Sequence, residues 1–184
     1  MAKQLPALSA HLQAFVEAQR IFFAGTAAPE GRVNLSPKGM DSLRVLTPTR
    51  VAWLNVTGSG NETAAHLQRS PRMTLMFCAF EGPPLILRLY GQAHMIQPAD
   101  PEWPGLLSLF PDLPGARQIY VLDIDLVQTS CGMAVPTFSY QAERDELNAL
   151  HRRMGPEEIR SYWLRRNTHS IDGFPTGIQT TVDT

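Results

Sequence analysis

The sequence predicts a mainly β fold of the α+β type, built around a closed or partly closed barrel of six to seven mostly antiparallel strands. Three observations lead to this prediction. Strand-like runs follow one another through about 110 residues with few helical segments between them. Tight turns join these runs, and strands joined by tight turns pair antiparallel. Fifteen prolines and 13 glycines are typical of many short elements rather than of a long helical bundle.

The first part of the chain contains one predicted helix and four predicted strands. Residues 8–19 carry apolar side chains at helical spacing, and Ser9 is the predicted N-cap. The strands that follow are predicted at residues 21–26, 32–36, 42–46 and 50–56. Because proline lacks the N–H group that a sheet ladder needs, Pro37 predicts that the second of these strands ends or bulges there.

The second part of the chain contains three longer strands, two short helices and a helical tail. Its predicted elements are a helix at 62–69, strands at 72–80 and 85–96, a helix at 101–110, a strand at 117–128, two charged helices at 142–154 and 157–166, and a loop at 170–177. Gly91, near the middle of the strand at 85–96, predicts a bulge or bend.

Composition limits the expected partners and the expected compartment. A formal net charge of −1 shows no global bias toward nucleic acid or an acidic membrane. No apolar run approaches the roughly 18 residues of a membrane helix, and the N-terminus lacks the apolar run of a signal peptide. Two cysteines without a pairing pattern, Cys78 and Cys131, favour a reducing compartment. These features lead us to expect a cytoplasmic protein. The histidines are scattered without metal-ligand spacing, so we expect no metal site.

The most informative segment is the glycine-rich stretch 57–67, which follows a strand and leads into a helix. Glycine lets the backbone come close to a ligand, and a helix start offers free N–H groups to an anion. These features predict a phosphorylated cofactor at residues 57–63, with Thr57, Gly58, Asn61 and Thr63 as candidate contacts. One glycine-rich turn is a weak signal, however, and the same stretch can be a plain loop with Asn61 as the N-cap. Both interpretations stay open on local chemistry alone.

Polar side chains on two other strands are further candidates. Asn34 and Ser36 share one strand face, and Lys38 continues in the same direction. Three polar side chains on one face of an otherwise apolar barrel are explained by a polar planar ligand, although a lysine in a turn is usually solvated. Arg88 lies inside an apolar strand, where it either faces solvent or directs its charge at a phosphate or a partner subunit.

Three of these segments resemble the pyridoxamine 5′-phosphate oxidase-like flavoproteins. Residues 31–39 look like the family's second-strand motif, in which a basic residue ends the strand beside the flavin. Residues 57–67 look like its phosphate turn and helix, and residues 88–91 look like its following long strand. The tail segments at 128–136, 140–144 and 170–173 are similar to a subgroup known only as oxidase-related.

The resemblance implies a fold, a cofactor and a set of contacts. The length of the chain predicts one domain over residues 1–184, and the resemblance implies an FMN-binding split β-barrel at 18–130, followed by a C-terminal helical extension at 131–184. The resemblance also implies a homodimer, because family members bind two flavins across the subunit interface. The cofactor-binding residues that it implies, together with the local chemistry, are Asn34, Leu35, Ser36, Lys38, Thr57, Gly58, Asn61, Thr63 and Arg88.

The implied activity is that of an FMN-dependent oxidoreductase acting on a small molecule. The chain departs from the true oxidases, since Glu62 and Thr63 stand where those enzymes carry an Arg-Lys pair. The Trp and Arg that clamp pyridoxal phosphate also have no match after Leu126, so vitamin B6 oxidation is not expected. The alternatives are a deazaflavin-dependent reductase and a non-catalytic flavin-binding module for stress response or flavin sequestration. No catalytic acid or base is identified.

Overall fold

Eight strands and four helices make up the part of the chain that the computed structural model describes, residues 2–179. In chain order they are β1 (Lys3–Leu5), α1 (Ala10–Ala18), β2 (Phe22–Thr26), β3 (Asn34–Lys38), β4 (Leu43–Thr47), β5 (Arg50–Val56), α2 (Glu62–Leu67), β6 (Arg72–Cys78), β7 (Ile86–Ile96), α3 (Trp103–Leu107), β8 (Ala116–Ser130) and α4 (Glu146–Arg166).

All eight strands belong to one antiparallel sheet. Its order is β3-β2-β6-β7-β8-β5-β4, and β1 pairs with the C-terminal part of β8. The sheet curls into a half-barrel, so the predicted mainly β fold with a split β-barrel of antiparallel strands is confirmed. The predicted number of six to seven strands was too small by one. The missed strand, β1, has three residues, which is too short for an alternating pattern to be recognised.

The curled sheet encloses the hydrophobic core. Trp53 and Tyr120 are fully buried from neighbouring strands, and their rings lie 4.6 Å apart. Phe22 stacks on Phe77 at 5.8 Å between ring centroids. Helix α1 covers this side of the sheet with Leu12 and Val16. The side chain of Ser9 caps the first turn of this helix, as predicted.

Strand β3 differs from its prediction. It runs from Asn34 through Pro37 to Lys38 and does not end at the proline. The physical reason is that β3 is an edge strand that pairs only with β2, so the missing N–H of Pro37 costs no ladder bond on the open side. The uninterrupted strand keeps Asn34, Ser36 and Lys38 on one face.

The bulge predicted at Gly91 is confirmed. The register between β7 and β8 shifts between Tyr90 and Gly91. A Cβ atom on Gly91 would lie 1.9 Å from the carbonyl oxygen of Asp123, so no side chain fits at this position. The bulge bends the longest strand pair of the sheet and thereby helps to curl it.

The chain after β8 packs back against the barrel. The two predicted charged helices form α4, which is broken at Gly155, where φ is +73°, followed by Pro156. Ile159 and Trp163 are the buried residues of its second half. No helix within residues 2–179 is long and apolar enough to cross a lipid bilayer.

Candidate functional site

A polar cavity of about 400 Å³ opens at the split of the barrel. It lies between the edge strand β3, the end of β5 and the glycine-rich turn that leads into α2. This volume falls within the range typical of small-molecule and cofactor sites, about 300–1,000 Å³. The lining residues are Asn34, Ser36, Pro37, Lys38, Asn55, Val56, Gly58, Ser59, Gly60, Asn61, Glu62, Thr63 and Arg117.

One wall of the cavity is the polar face of β3. Ser36 donates its hydroxyl hydrogen bond to Asn34 Oδ1 at 3.0 Å. Asn34 Nδ2 lies 3.3 Å from Thr63 Oγ1, across the gap between β3 and α2. The alternation of the strand therefore turns the predicted polar face of β3 toward the glycine-rich turn. The contact between Asn34 and Thr63 links these two parts of the cavity lining.

Lys38 extends from β3 toward the core residues Asn55 and Trp53. Its Nζ donates to Asn55 Oδ1 at 3.3 Å and lies 5.0 Å from the centre of the Trp53 ring. Burial, and secondly the positive charge of Arg117, lowers the pKa of Lys38 from 10.5 to about 8. The side chain is thus a largely buried amine that still carries its proton at pH 7, not the solvated lysine of the alternative interpretation.

The groups around the Lys38 amine carry no negative charge. Asn55 Nδ2 donates to Gln118 Oε1 at 3.2 Å, and the Tyr120 hydroxyl donates to the same oxygen at 3.1 Å. Burial raises the pKa of Tyr120, so its hydroxyl stays protonated. The network is therefore neutral and leaves the charge of Lys38 uncompensated.

Arg117, near the start of β8, is the residue that sequence reasoning missed. Its side chain is buried, and its Nη2 donates to the carbonyl oxygen of Gly60 at 3.1 Å. Its Nε and Nη1 have no hydrogen-bond partner within residues 2–179. Burial lowers its pKa from 12.5 to about 10. The register between β5 and β8 shifts at Arg117, between the pairs Asn55–Gln118 and Val56–Ala116, so strand alternation gives no sequence signal for the direction of its side chain.

No carboxylate in the described part of the chain balances these two cations. The only acidic residue of the lining is Glu62, and both of its carboxylate oxygens accept the backbone N–H of Ile171, at 3.0 and 3.2 Å. Neither Lys38 nor Arg117 takes part in any of the ion pairs found in residues 2–179. A buried charge without a partner is costly, and an anion in the cavity would offset that cost.

The glycine-rich turn leads into α2 without a side-chain cap. Asn61 stands at the predicted N-cap position, but its side chain makes no capping bond and donates instead to the carbonyl oxygen of Asn167 at 3.2 Å. Helix α2 has only six residues, so the positive charge of the cavity comes from Lys38 and Arg117 rather than from a helix dipole.

The other predicted cofactor contacts lie at different depths. Gly58, Asn61 and Thr63 line the cavity with the β3 residues, whereas Thr57 is buried behind the turn and donates to the carbonyl oxygen of Gly115 at 2.9 Å. Leu35 lies on the opposite face of β3 and is 65% exposed. Arg88 lies on β7 outside the lining, where its Nη1 is 3.3 Å from Ser130 Oγ.

Comparisons with known proteins point to one family. The pyridoxamine 5′-phosphate oxidase family profile matches residues 8–131. The pyridoxamine 5′-phosphate oxidase family protein ustO of Aspergillus flavus is 36% identical over an alignment of 186 positions. The alignment covers 91% of this chain and 75% of the relative.

Solved structures share the fold at low sequence identity. A candidate pyridoxamine 5′-phosphate oxidase from Lactobacillus delbrueckii superposes with a TM-score of 0.53 at 20% identity, over 67% of this chain and 94% of that one. HupZ from Group A Streptococcus superposes with a TM-score of 0.51 at 12% identity, over 72% of this chain and 100% of that one. The matched profile covers more than half of the sequence, and the fungal relative matches nearly all of it. The chain therefore belongs to the pyridoxamine 5′-phosphate oxidase family.

Proposed function

We propose that this protein is an FMN-dependent oxidoreductase with a small-molecule substrate. The observation that carries the proposal is the pair of buried cations, Lys38 and Arg117, in a polar cavity whose single carboxylate is occupied by the backbone. Membership of a flavoprotein-like family gives the anion a chemical class, a phosphorylated flavin.

The donor and acceptor groups of the cavity fit such a ligand. The Nε–H and Nη1–H of Arg117 have no partner among residues 2–179, and charge-assisted hydrogen bonds to phosphate oxygens would satisfy them. Asn61 Oδ1 is buried without a partner among residues 2–179 and can accept a hydrogen bond from a ligand hydroxyl. The phosphate would be held by Arg117, Thr63 and the backbone of the glycine-rich turn.

The β3 wall would hold the polar edge of the ring system. Asn34 and Ser36 supply an amide and a hydroxyl on one face, and Lys38 supplies a positive charge at its end. When bound, the flavin supplies the two-electron chemistry, and the protein binds it, orients it and tunes it. The charge of Lys38 would favour an anionic form of the ligand.

The assembly is also a proposal. The family resemblance supports a homodimer, and Arg88, outside the lining of this chain's own cavity, would then contribute only through a partner subunit. Sedimentation of the purified protein measures the oligomeric state directly.

The first test is the absorption spectrum of the freshly purified protein and the mass of what denaturation releases. We expect an oxidised-flavin spectrum and the mass of FMN, and tighter binding of added FMN than of riboflavin. A colourless protein that binds neither compound would refute the proposal, whereas release of a deazaflavin would favour the reductase alternative.

Turnover separates an enzyme from a flavin-binding module. We expect a nicotinamide or other reduced donor to bleach the bound flavin faster than it reduces free FMN. If the bound flavin is reduced and reoxidised no faster than free FMN, the non-catalytic alternative holds. Pyridoxamine phosphate serves as the comparison substrate, for which we expect no appreciable oxidation.

A substitution in the turn tests where the phosphate lies. Gly58 does not have a positive φ, and a Cβ atom there would meet nothing within 4 Å, so its glycine is not required by the fold. We expect Gly58→Ala to retain the thermal stability of the FMN-free protein but to weaken FMN binding, because the added methyl group occupies space in the cavity. The control is Gly105→Ala, which also meets nothing within 4 Å but lies in α3. Equal FMN affinity in both variants would place the phosphate elsewhere.

A further inference from the structure

The C-terminal tail contacts the glycine-rich turn through several hydrogen bonds. The Nε1–H of Trp163 donates to Thr57 Oγ1 at 2.8 Å. Asn167 Nδ2 donates to the carbonyl oxygen of Gly58 at 3.1 Å. The backbone N–H of Ile171 is shared by the carboxylate oxygens of Glu62. The tail therefore contacts the turn at its beginning, its middle and its end.

The contacts of Trp163 and Asn167 involve buried residues and are connected to further hydrogen bonds. Asn167 is fully buried, and its carbonyl oxygen accepts from Asn61 Nδ2 at 3.2 Å and from Thr176 Oγ1 at 2.7 Å. Trp163 is also buried, and the Thr57 hydroxyl that it contacts donates onward to Gly115 on the loop before β8. Hydrogen bonds in such a dry environment fix geometry, since breaking one leaves a buried polar group unpaired.

The tail acts on the conformation of the glycine-rich turn. Asn167 Nδ2 donates to the carbonyl oxygen of Gly58, one of the residues lining the cavity. The backbone N–H of Ile171 donates to the carboxylate of Glu62, the one acidic group of the lining, and holds it in place without removing its charge. Both contacts fix the shape of the turn, although neither Asn167 nor Ile171 lines the cavity itself.

We propose that Trp163 and Asn167 are positioning residues that hold the glycine-rich turn in its anion-binding geometry. This inference rests on the proposed function, because it assigns the turn to the phosphate of the flavin. It predicts that the tail affects the part of the affinity that comes from the phosphate and leaves the part that comes from the ring system unchanged.

The test compares FMN with riboflavin, which lacks the phosphate, in the full-length protein. Trp163→Phe removes the indole donor and keeps an aromatic ring, and Asn167→Ala removes the amide donor. We expect each variant to weaken FMN binding about fivefold to tenfold, the effect of losing one hydrogen bond that orders the site. Riboflavin affinity should change less than about twofold, within the factor expected when no contact is lost.

A matched control comes from a residue that contacts the same tail elsewhere. Gln97, directly after β7, donates from Nε2 to the carbonyl oxygen of Gly177 at 2.9 Å and accepts from the N–H of Gln179 at 2.7 Å, so Gln97→Ala also removes contacts to the tail but none at the turn. We expect this variant to lose thermal stability and to keep the wild-type preference for FMN over riboflavin.

The possible outcomes are distinct. If Trp163→Phe and Asn167→Ala retain the wild-type preference, or if Gln97→Ala loses it equally, the tail is merely structural and the inference is wrong. If the wild-type protein shows no flavin binding, the proposed function fails instead. Trp163→Phe preserves the buried ring, so it keeps the test valid should Asn167→Ala not fold.

Discussion

Replacing Arg117 by Met is expected to weaken FMN binding by about 10- to 150-fold, because a hydrogen bond to a charged group is worth about 1.5–3 kcal/mol. The guanidinium is one of the two cations of the cavity, and its Nε–H and Nη1–H have no partner within residues 2–179. Fluorescence titration with FMN and with riboflavin measures the effect, and riboflavin affinity should be nearly unchanged.

The same variant is expected to be more stable than the wild type when no flavin is present. The Arg117 guanidinium is removed from water without an acidic partner, which destabilises the folded protein. Exchanging buried charges for apolar side chains of similar volume is often neutral or stabilising by about 1–4 kcal/mol. The lost hydrogen bond to Gly60 offsets part of this gain. Thermal unfolding of the flavin-free proteins measures the net change.

The control is Arg50→Met, which removes a strand arginine whose Nε lies 2.7 Å from Asp123 Oδ1 at the exposed surface. We expect it to change neither FMN affinity nor stability by much, since exposed ion pairs contribute little. The anion-site interpretation of the cavity is wrong if Arg117→Met binds FMN as tightly as Arg50→Met.

Replacing Lys38 by Met is expected to remove a pH dependence from FMN binding. In the free protein the pKa of Lys38 is lowered to about 8 by burial and by Arg117, and a bound anion raises it again. Binding above this pH therefore takes up a proton, so wild-type affinity should fall by up to about tenfold per pH unit above pH 8. Titrations between about pH 7 and 9.5 should show this fall in the wild type and a weaker, flat affinity in Lys38→Met.

The stability of the flavin-free protein should show the opposite trend. The folded pKa of Lys38 lies below its unfolded value of 10.5, so the unfolded state binds more protons between about pH 8 and 10.5. Stability attributable to Lys38 is lowest below pH 8 and rises through this window, by about 3 kcal/mol for the full shift. The difference between wild type and Lys38→Met in denaturant unfolding isolates this contribution. A constant difference across the window would contradict the buried position of the amine.

The two cations are coupled, which gives the second prediction an internal check. Arg117 is the second cause of the lowered pKa of Lys38. In Arg117→Met we expect the fall in FMN affinity to begin at a higher pH than in the wild type, because one of the two influences on the Lys38 pKa is gone. The residual effect of burial should keep it below 10.5.

Local sequence patterns predicted most of the barrel. Alternating apolar residues and tight turns reflect burial of one strand face and short connections, which are properties of neighbouring residues. The shared face of Asn34, Ser36 and Lys38 follows from the two-residue period of a strand in the same way. The bulge at Gly91 was predictable because only glycine fits where another backbone approaches so closely.

The completion of the candidate site was decided by tertiary structure. Arg117 lies 54 residues after Thr63 in the sequence. It reaches the cavity only because β8 pairs with β5 beside the turn. Trp163 contacts Thr57 across 106 residues of sequence, and Asn167 contacts Gly58 across 109 residues. Periodicity and turn signals act over a few residues, so they determined which segments become strands and which face is polar. Only the closing of the sheet and the packing of the tail decided which distant charges and donors meet at the glycine-rich turn.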